Sequence, residues 1–262
     1  MTKILDTIVA HKKTEVARNQ AILAVSDLQQ QPNYLRKTYS LQKNLLADTQ
    51  STGIIAEFKR KSPSKGIINA HSQVADVAVG YMRAGAAALS ILTDTNFFGG
   101  STADLLAARL LCNIPILRKD FIVDSYQIYE AKAMGADLIL LIAACLSPSQ
   151  IKEFAALAHD IGLEVLLEVH NETELLQNRE SNADLIGVNN RNLQTFEVNL
   201  ATSVQLAKLM PPNAISIAES GITSYKEVEF LKQHGYKGFL IGENFMKQSN
   251  PAQGLRSFLE VD

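Results

Sequence analysis

With 262 residues, 47% of them hydrophobic, the chain is long enough to bury one large α/β core or two small ones. Its 25 Lys and Arg against 27 Asp and Glu leave a formal net charge of −2, which excludes a global pull toward nucleic acid or an anionic membrane and makes any basic patch local. No apolar run reaches the roughly 18 residues that span a bilayer, and Met1–Asp6 lacks the apolar core of a signal peptide, so the chain reads as soluble, cytoplasmic and built for small molecules. Cys112 and Cys145 lie in apolar stretches and read as buried free thiols, and the five histidines show no metal-ligand spacing, so no metal is expected.

Ile4, Leu5, Ile8, Val9 and Val16 are helically spaced, and Pro32–Leu46 predicts a second helix; residues 1–48 read as a helical extension packed beside the rest of the chain. From Gly53 onward a helix, glycine, strand unit recurs. Ser147-Pro148-Ser149-Gln150 is a capping box with proline at the first helical position. Ile151, Phe154, Ala155 and Ala158 then form an apolar stripe, Gly162 supplies a left-handed stop, and Val165-Leu166-Leu167 begins a strand. Related junctions at Gly85, Gly135, Asn182 and Gly235 give a period of about 20 to 35 residues. The predicted strands are Ile54–Lys59, Ala88–Thr93, Pro115–Lys119, Leu138–Ile142, Glu164–Val169, Leu185–Asn189, Ile215–Glu219 and Gly238–Ile241. They favour a (β/α)₈ TIM barrel as a single domain over 1–262, although an open doubly wound sheet would hold most of them.

Hydrophobic runs repeatedly stop on a charged or amide residue, at Glu57 and Lys59, Lys119, Glu168, Asn189 and Glu219. Such an ending predicts a buried parallel strand whose last inward side chain faces a pocket, and several of them predict one shared mouth, the layout of a barrel enzyme. Alternation groups Ile55, Glu57 and Lys59 on one face of the first strand. If that face is inward, Glu57 meets Lys59 at the mouth; the alternative is a solvated strand end leading into the basic stretch Arg60, Lys61 and Lys65. The Ser62–Gly66 loop carries no aromatic platform, which favours a small anion over nucleic acid.

Lys119 shares a face with Leu117 and gains its force from company, since a lone lysine there is structural or solvated. Glu168, on the same side as its pocket-facing neighbours, can accept or donate a proton; burial raises its pKa and a nearby ammonium lowers it, so its form at neutral pH stays open. Asn189, Arg191 and Glu219 would each, alone, serve as loop hydrogen-bonders. Ser220-Gly221 and Gly242-Glu243-Asn244 follow the last two strands, where barrels bind phosphate through backbone N–H groups; two tight turns are the plainer reading. The Asn96–Ser101 loop adds Phe97 and Phe98, which line a pocket or simply pack.

Five motifs in order, Glu57–Ser64, Leu89–Thr93, Pro115–Phe121, Gly187–Leu193 and Ala218–Ile222, resemble indole-3-glycerol-phosphate synthase, and the resemblance runs from Ile4-Leu5-Asp6 to Phe245-Met246. That resemblance implies a (β/α)₈ barrel that converts 1-(2-carboxyphenylamino)-1-deoxyribulose 5-phosphate into indole-3-glycerol phosphate, carbon dioxide and water without a cofactor. It implies a catalytic set of Glu57, Lys59, Lys119, Glu168, Asn189, Glu219 and Ser220, with Lys119 as the acid on the ribulose carbonyl. Lys59, Glu168 and Glu57 are then candidates for the later acid and base. Substrate and phosphate contacts are implied at Ser62, Phe97, Phe121, Arg191, Gly221, Gly242 and Glu243, and a monomer is expected. The competing readings are a phosphosugar isomerase, a Schiff-base aldolase with Lys59 or Lys119 as nucleophile, and a phosphosugar-binding barrel without turnover.

Overall fold

The structure is a computed structural model that describes residues 3–47, 51–192, 195–212 and 214–260. The proposed boundary at Asp48 and the Leu193 end of one motif lie outside the described residues. Eight parallel strands form a closed barrel: β1 (Ile54–Phe58), β2 (Ala88–Leu92), β3 (Ile116–Lys119), β4 (Leu138–Ile142), β5 (Glu164–Val169), β6 (Leu185–Asn189), β7 (Ile215–Glu219) and β8 (Tyr236–Ile241). Each pairs with its sequence neighbours, and β8 closes the ring on β1. The open doubly wound alternative is thereby overturned. β8 starts two residues earlier than the sequence suggests because Tyr236 is buried and its hydroxyl donates to the Ser203 carbonyl at 2.8 Å.

Strand parity divides the core in two. Ile55, Leu117, Leu140, Leu166, Leu185, Ile217 and Leu240 fill the barrel interior, whereas Ile54, Ala56, Phe58, Ile91, Val165 and Val188 pack outward under the helices. Both faces are thus apolar, which explains why the strands read as continuous hydrophobic runs. The helix Pro148–Asp160 follows its sequence signature. Ser147 accepts from the Gln150 N–H, the Gln150 side chain accepts in return, and Ile151, Phe154, Ala155 and Ala158 are buried.

The N-terminal extension begins with a helix as expected and departs from expectation only further along. Its first helix, Lys3–Ile22, brings Ile4, Leu5 and Ile8 to the mouth of the barrel. A short helix, Val25–Leu28, and turns over residues 29–36 follow it, so the helix expected over Pro32–Leu46 is confined to Leu41–Ala47, because the residues leading into it are tied to the barrel floor. Arg36 bonds Asp137 at 2.7 Å, the Tyr39 N–H bonds the same carboxylate at 2.8 Å, and Thr38 donates to the Gly162 carbonyl at 2.7 Å. Glu164, at the start of β5, then accepts from the Leu41 and Gln42 N–H groups at 2.9 and 3.2 Å, satisfying orphan donors of the short helix. Leu41 and Leu45 enter the inner core from below, each contributing about 1.5–3 kcal/mol of apolar burial. The extension therefore runs from mouth to floor rather than lying at one side.

Candidate active site

The carboxyl ends of the strands open into a cavity of about 640 Å³. Glu57 from β1, Lys59 just beyond it, Lys119 from β3, Glu168 from β5, Asn189 from β6, and Glu219 with Ser220 from the end of β7 all line it. Every member of the expected catalytic set is thus brought to one place. Its size suits a small-molecule ligand.

Lys119 is the hub. Its Nζ lies 2.9 Å from Glu168 Oε2 and 3.4 Å from Glu219 Oε2. Burial alone would lower the ammonium's pKa, but the combined charges of Glu168, Glu219 and Glu57 outweigh it and hold the group protonated. Burial likewise works against ionised Glu168, yet Lys119 and His170 draw its carboxyl well below the usual carboxylate range. Asn189 donates to its Oε1 at 3.1 Å. Glu219 differs. Burial first, then the Glu168 and Glu57 charges, push it up to about 7 against the pull of Lys119. Neighbouring carboxyls are thus driven apart in acidity by their surroundings, the pattern of a site that moves protons. On the opposite wall Lys59 Nζ pairs with Glu57 Oε1 at 2.6 Å, and Ser90 donates to Glu57 Oε2 at 3.4 Å.

The same cavity is also lined by Ser62, Arg191, Gly221, Gly242 and Glu243. Ser220 and Gly221 take left-handed backbone angles, φ 65° and 81°. A side chain at Gly242 would have its Cβ 2.5 Å from Glu57 Oε1, so this glycine makes room for the Glu57 carboxylate as well as turning the chain. Glu243 stands 3.5 Å from Lys65 and 3.7 Å from Arg191, linking the loops after β1, β6 and β8. Phe121 lines the cavity, but Phe97 does not: it packs edge-on against His11 at 5.7 Å, and its neighbour Phe98 takes the place on the wall, 5.8 Å from Phe121. The contact expected at Phe97 thus falls to Phe98, because alternation in a loop is no guide to facing.

Three features escaped the sequence reading. His170 sits 3.2 Å from Glu168 and 3.1 Å from Glu174, and its position two residues beyond Glu168 was a parity signal available on β5. Lys12, fully buried, places its Nζ 2.9 Å from Asp120 and 3.1 Å from Asp94, pinning the first helix beside the strand that carries Lys119. Asp120 in turn accepts from Thr93 at 2.5 Å and Arg118 at 3.2 Å. Asn190 donates to the Glu219 and Ser220 carbonyls at 3.0 and 3.3 Å, bracing the turn after β7. For Lys12 and Asn190 no local pattern could have named the partner.

A family model described as indole-3-glycerol phosphate synthase matches residues 5–258. A relative of that name from Bacteroides thetaiotaomicron is 47% identical over 261 residues, covering 100% of this chain and 99% of its own length. Another from Polynucleobacter asymbioticus is 45% identical over 264 residues, covering 97% and 98%. Among solved structures, thiamine phosphate pyrophosphorylase from Pyrococcus furiosus superposes with a TM-score of 0.60 at 14% identity, over 84% of this chain and 96% of that one. The N-acetylmannosamine-6-phosphate 2-epimerase from Clostridium perfringens gives 0.61 at 13%, over 86% and 97%. At such identity these two speak for the barrel alone.

Proposed function

This chain belongs to the indole-3-glycerol phosphate synthase family, and from that premise we propose how its side chains share the reaction. The activity is a decarboxylating ring closure that turns 1-(2-carboxyphenylamino)-1-deoxyribulose 5-phosphate into indole-3-glycerol phosphate, carbon dioxide and water. The ring carbon bearing the carboxylate attacks the ribulose carbonyl, whose oxygen gains a proton as the carbon–carbon bond forms. We assign that proton to Lys119. The observation that carries the assignment is its contact with Glu168 and Glu219, at 2.9 and 3.4 Å, which keeps the amine an oriented ammonium rather than the neutral nucleophile an imine requires.

Carbon dioxide then leaves its bonding electrons in the ring. Departure of the hydroxyl as water needs one proton delivered to that oxygen and one removed from the methylene carbon between the nitrogen and the new bond, the former ribulose C1, so that the indole double bond forms inside the ring. Lys59, held at Glu57, is assigned the first role, and ionised Glu168 the second. Ser62 and the backbone turns at Gly221 and Gly242-Glu243 are assigned to the phosphate, with Asn189, Arg191 and Phe121 positioning the rest. Among the described residues no helix is long and apolar enough to cross a membrane, and we infer a cytoplasmic monomer.

The test mixes the purified chain with the carboxyphenylamino-deoxyribulose phosphate and follows indole fluorescence. The product signal should rise without any borohydride-trapped adduct on a lysine. A trapped adduct, or no product, overturns the acid role of Lys119.

A further inference from the structure

We propose that His170 is a positioning residue for Glu168: an imidazolium clamped between two carboxylates that fixes the Oε1 edge of Glu168 and keeps that side chain an anionic acceptor. The inference rests on Glu168 taking up a proton in the reaction, as assigned above. His170 follows β5 at the inward parity, and its side chain is only 10% exposed. Nδ1 is 3.1 Å from Glu174 Oε2, and Nε2 is 3.2 Å from Glu168 Oε1, near enough for an ion pair though out of line for a hydrogen bond. An imidazole facing a carboxylate on each nitrogen carries a proton on each.

Glu174 is itself fixed. It lies in the helix Glu172–Gln177, where its Oε2 also accepts the His170 N–H at 2.8 Å, and its Oε1 accepts from Asn171 at 2.8 Å. Glu168 is consequently held from two sides, by Lys119 on Oε2 and by Asn189 and His170 on Oε1. Lys119 gives its charge to Glu219 as well, so without His170 the ionised state of Glu168 would depend on a cation it shares. Contacts with Glu168 and Glu174 raise the imidazole pKa to about 10 despite burial, which works the other way. Further titratable groups around this cluster, among the described residues, are Glu219 from β7, Glu57 from β1, Cys145 beyond β4 and Asp6 from the first helix. The Cys145 thiol is pushed up to about 12 by burial and by Glu168, Glu174 and Asp6, and so remains neutral. Only His170 supplies Glu168 with a second full cation at this distance among the described residues.

The pH dependence of kcat in His170→Gln and Glu174→Gln tests this, with Glu168→Gln as a control. His170→Gln keeps an amide donor but loses the charge. Its kcat near neutrality should fall about tenfold or more, KM should change by no more than about threefold, and the acidic limb should move up by about one pH unit or more. Glu174→Gln weakens the hold on the imidazolium proton, so its alkaline limb should move down; this arm decides the matter if His170→Gln fails to fold. A loss of melting temperature with both limbs in their wild-type places would make His170 structural and overturn the proposal. Turnover in Glu168→Gln would overturn the role of Glu168 and this inference together, whereas unshifted limbs beside an inactive Glu168→Gln would overturn this inference alone.

Discussion

Gly187 and Glu219 share one space: a Cβ on Gly187 would lie 2.2 Å from Glu219 Oε1. The carboxylate on β7 reaches its place beside Lys119 because β6 presents no side chain there. Gly187→Ala should therefore displace Glu219, lowering kcat at least about tenfold and destabilising the fold by about 1–3 kcal/mol through overpacking. Steady-state kinetics and urea unfolding read the two effects; an alanine variant with wild-type kcat would mean that the position of Glu219 is not critical.

Lys119→Met keeps the aliphatic stem and removes the ammonium. Positioned proton transfer contributes about 10²–10⁴-fold, so kcat and kcat/KM should fall together by that order while KM changes little. A variant that melts like wild type and keeps most of its kcat would transfer the acid role to Lys59.

Glu219 gives the fold a pH signature. Its folded pKa, about 7, stands above the unfolded value near 4.3, so the folded state holds a proton that the unfolded chain gives up in between. This contribution lowers stability as pH rises through that window. Glu219→Gln removes it, and the variant should gain on wild type by up to about 3 kcal/mol between about pH 5 and pH 8. Urea unfolding at both pH values measures the difference; parallel curves would show that Glu219 ionises normally.

Lys12→Met leaves Asp94 and Asp120 buried without their shared cation. Breaking a buried ion pair from one side costs about 3–5 kcal/mol, and the melting temperature should drop accordingly. Because the same helix brings Ile4, Leu5 and Ile8 to the cavity, KM should rise as well. An unchanged KM in the folded variant would separate that helix from substrate binding.

Gly221, at φ 81°, has room for a backbone turn but not for a side chain, since a Cβ would approach Val198 Cγ1 to 2.1 Å. Gly221→Ala should weaken affinity for indole-3-glycerol phosphate about tenfold or more if the turn cradles phosphate. Calorimetry showing wild-type affinity would put the phosphate elsewhere.

What the sequence made legible was periodic. Inward and outward residues alternate along a strand, so Glu57, Lys119, Glu168 and Glu219 announced their facing, and the capping box at Ser147 announced its helix. The floor of the barrel was not legible, because helix Leu41–Ala47 is set by Asp137 and Glu164, partners about a hundred residues away with no local trace. The choice of Phe98 over Phe97 depended on loop geometry. His170 was within reach of the same alternation that found Glu168, but its significance appears only once Glu174 folds back against it.

The seam between β1 and β8, where Ile54, Ile55 and Ala56 pair with Phe239, Leu240 and Ile241, joins the first strand of the barrel to the last. Synthesis therefore reaches Lys119, Glu168 and Glu219 well before the strand that completes their enclosure. Until Ile241 emerges, Glu57 lacks the Gly242 turn against which it is seated, and the edges of β1 and β7 stand open to wrong partners. Activity on a growing chain should thus appear in one step once β8 has been made rather than accumulate with length, and the unsealed intermediate is the stage at which this protein is most exposed to aggregation.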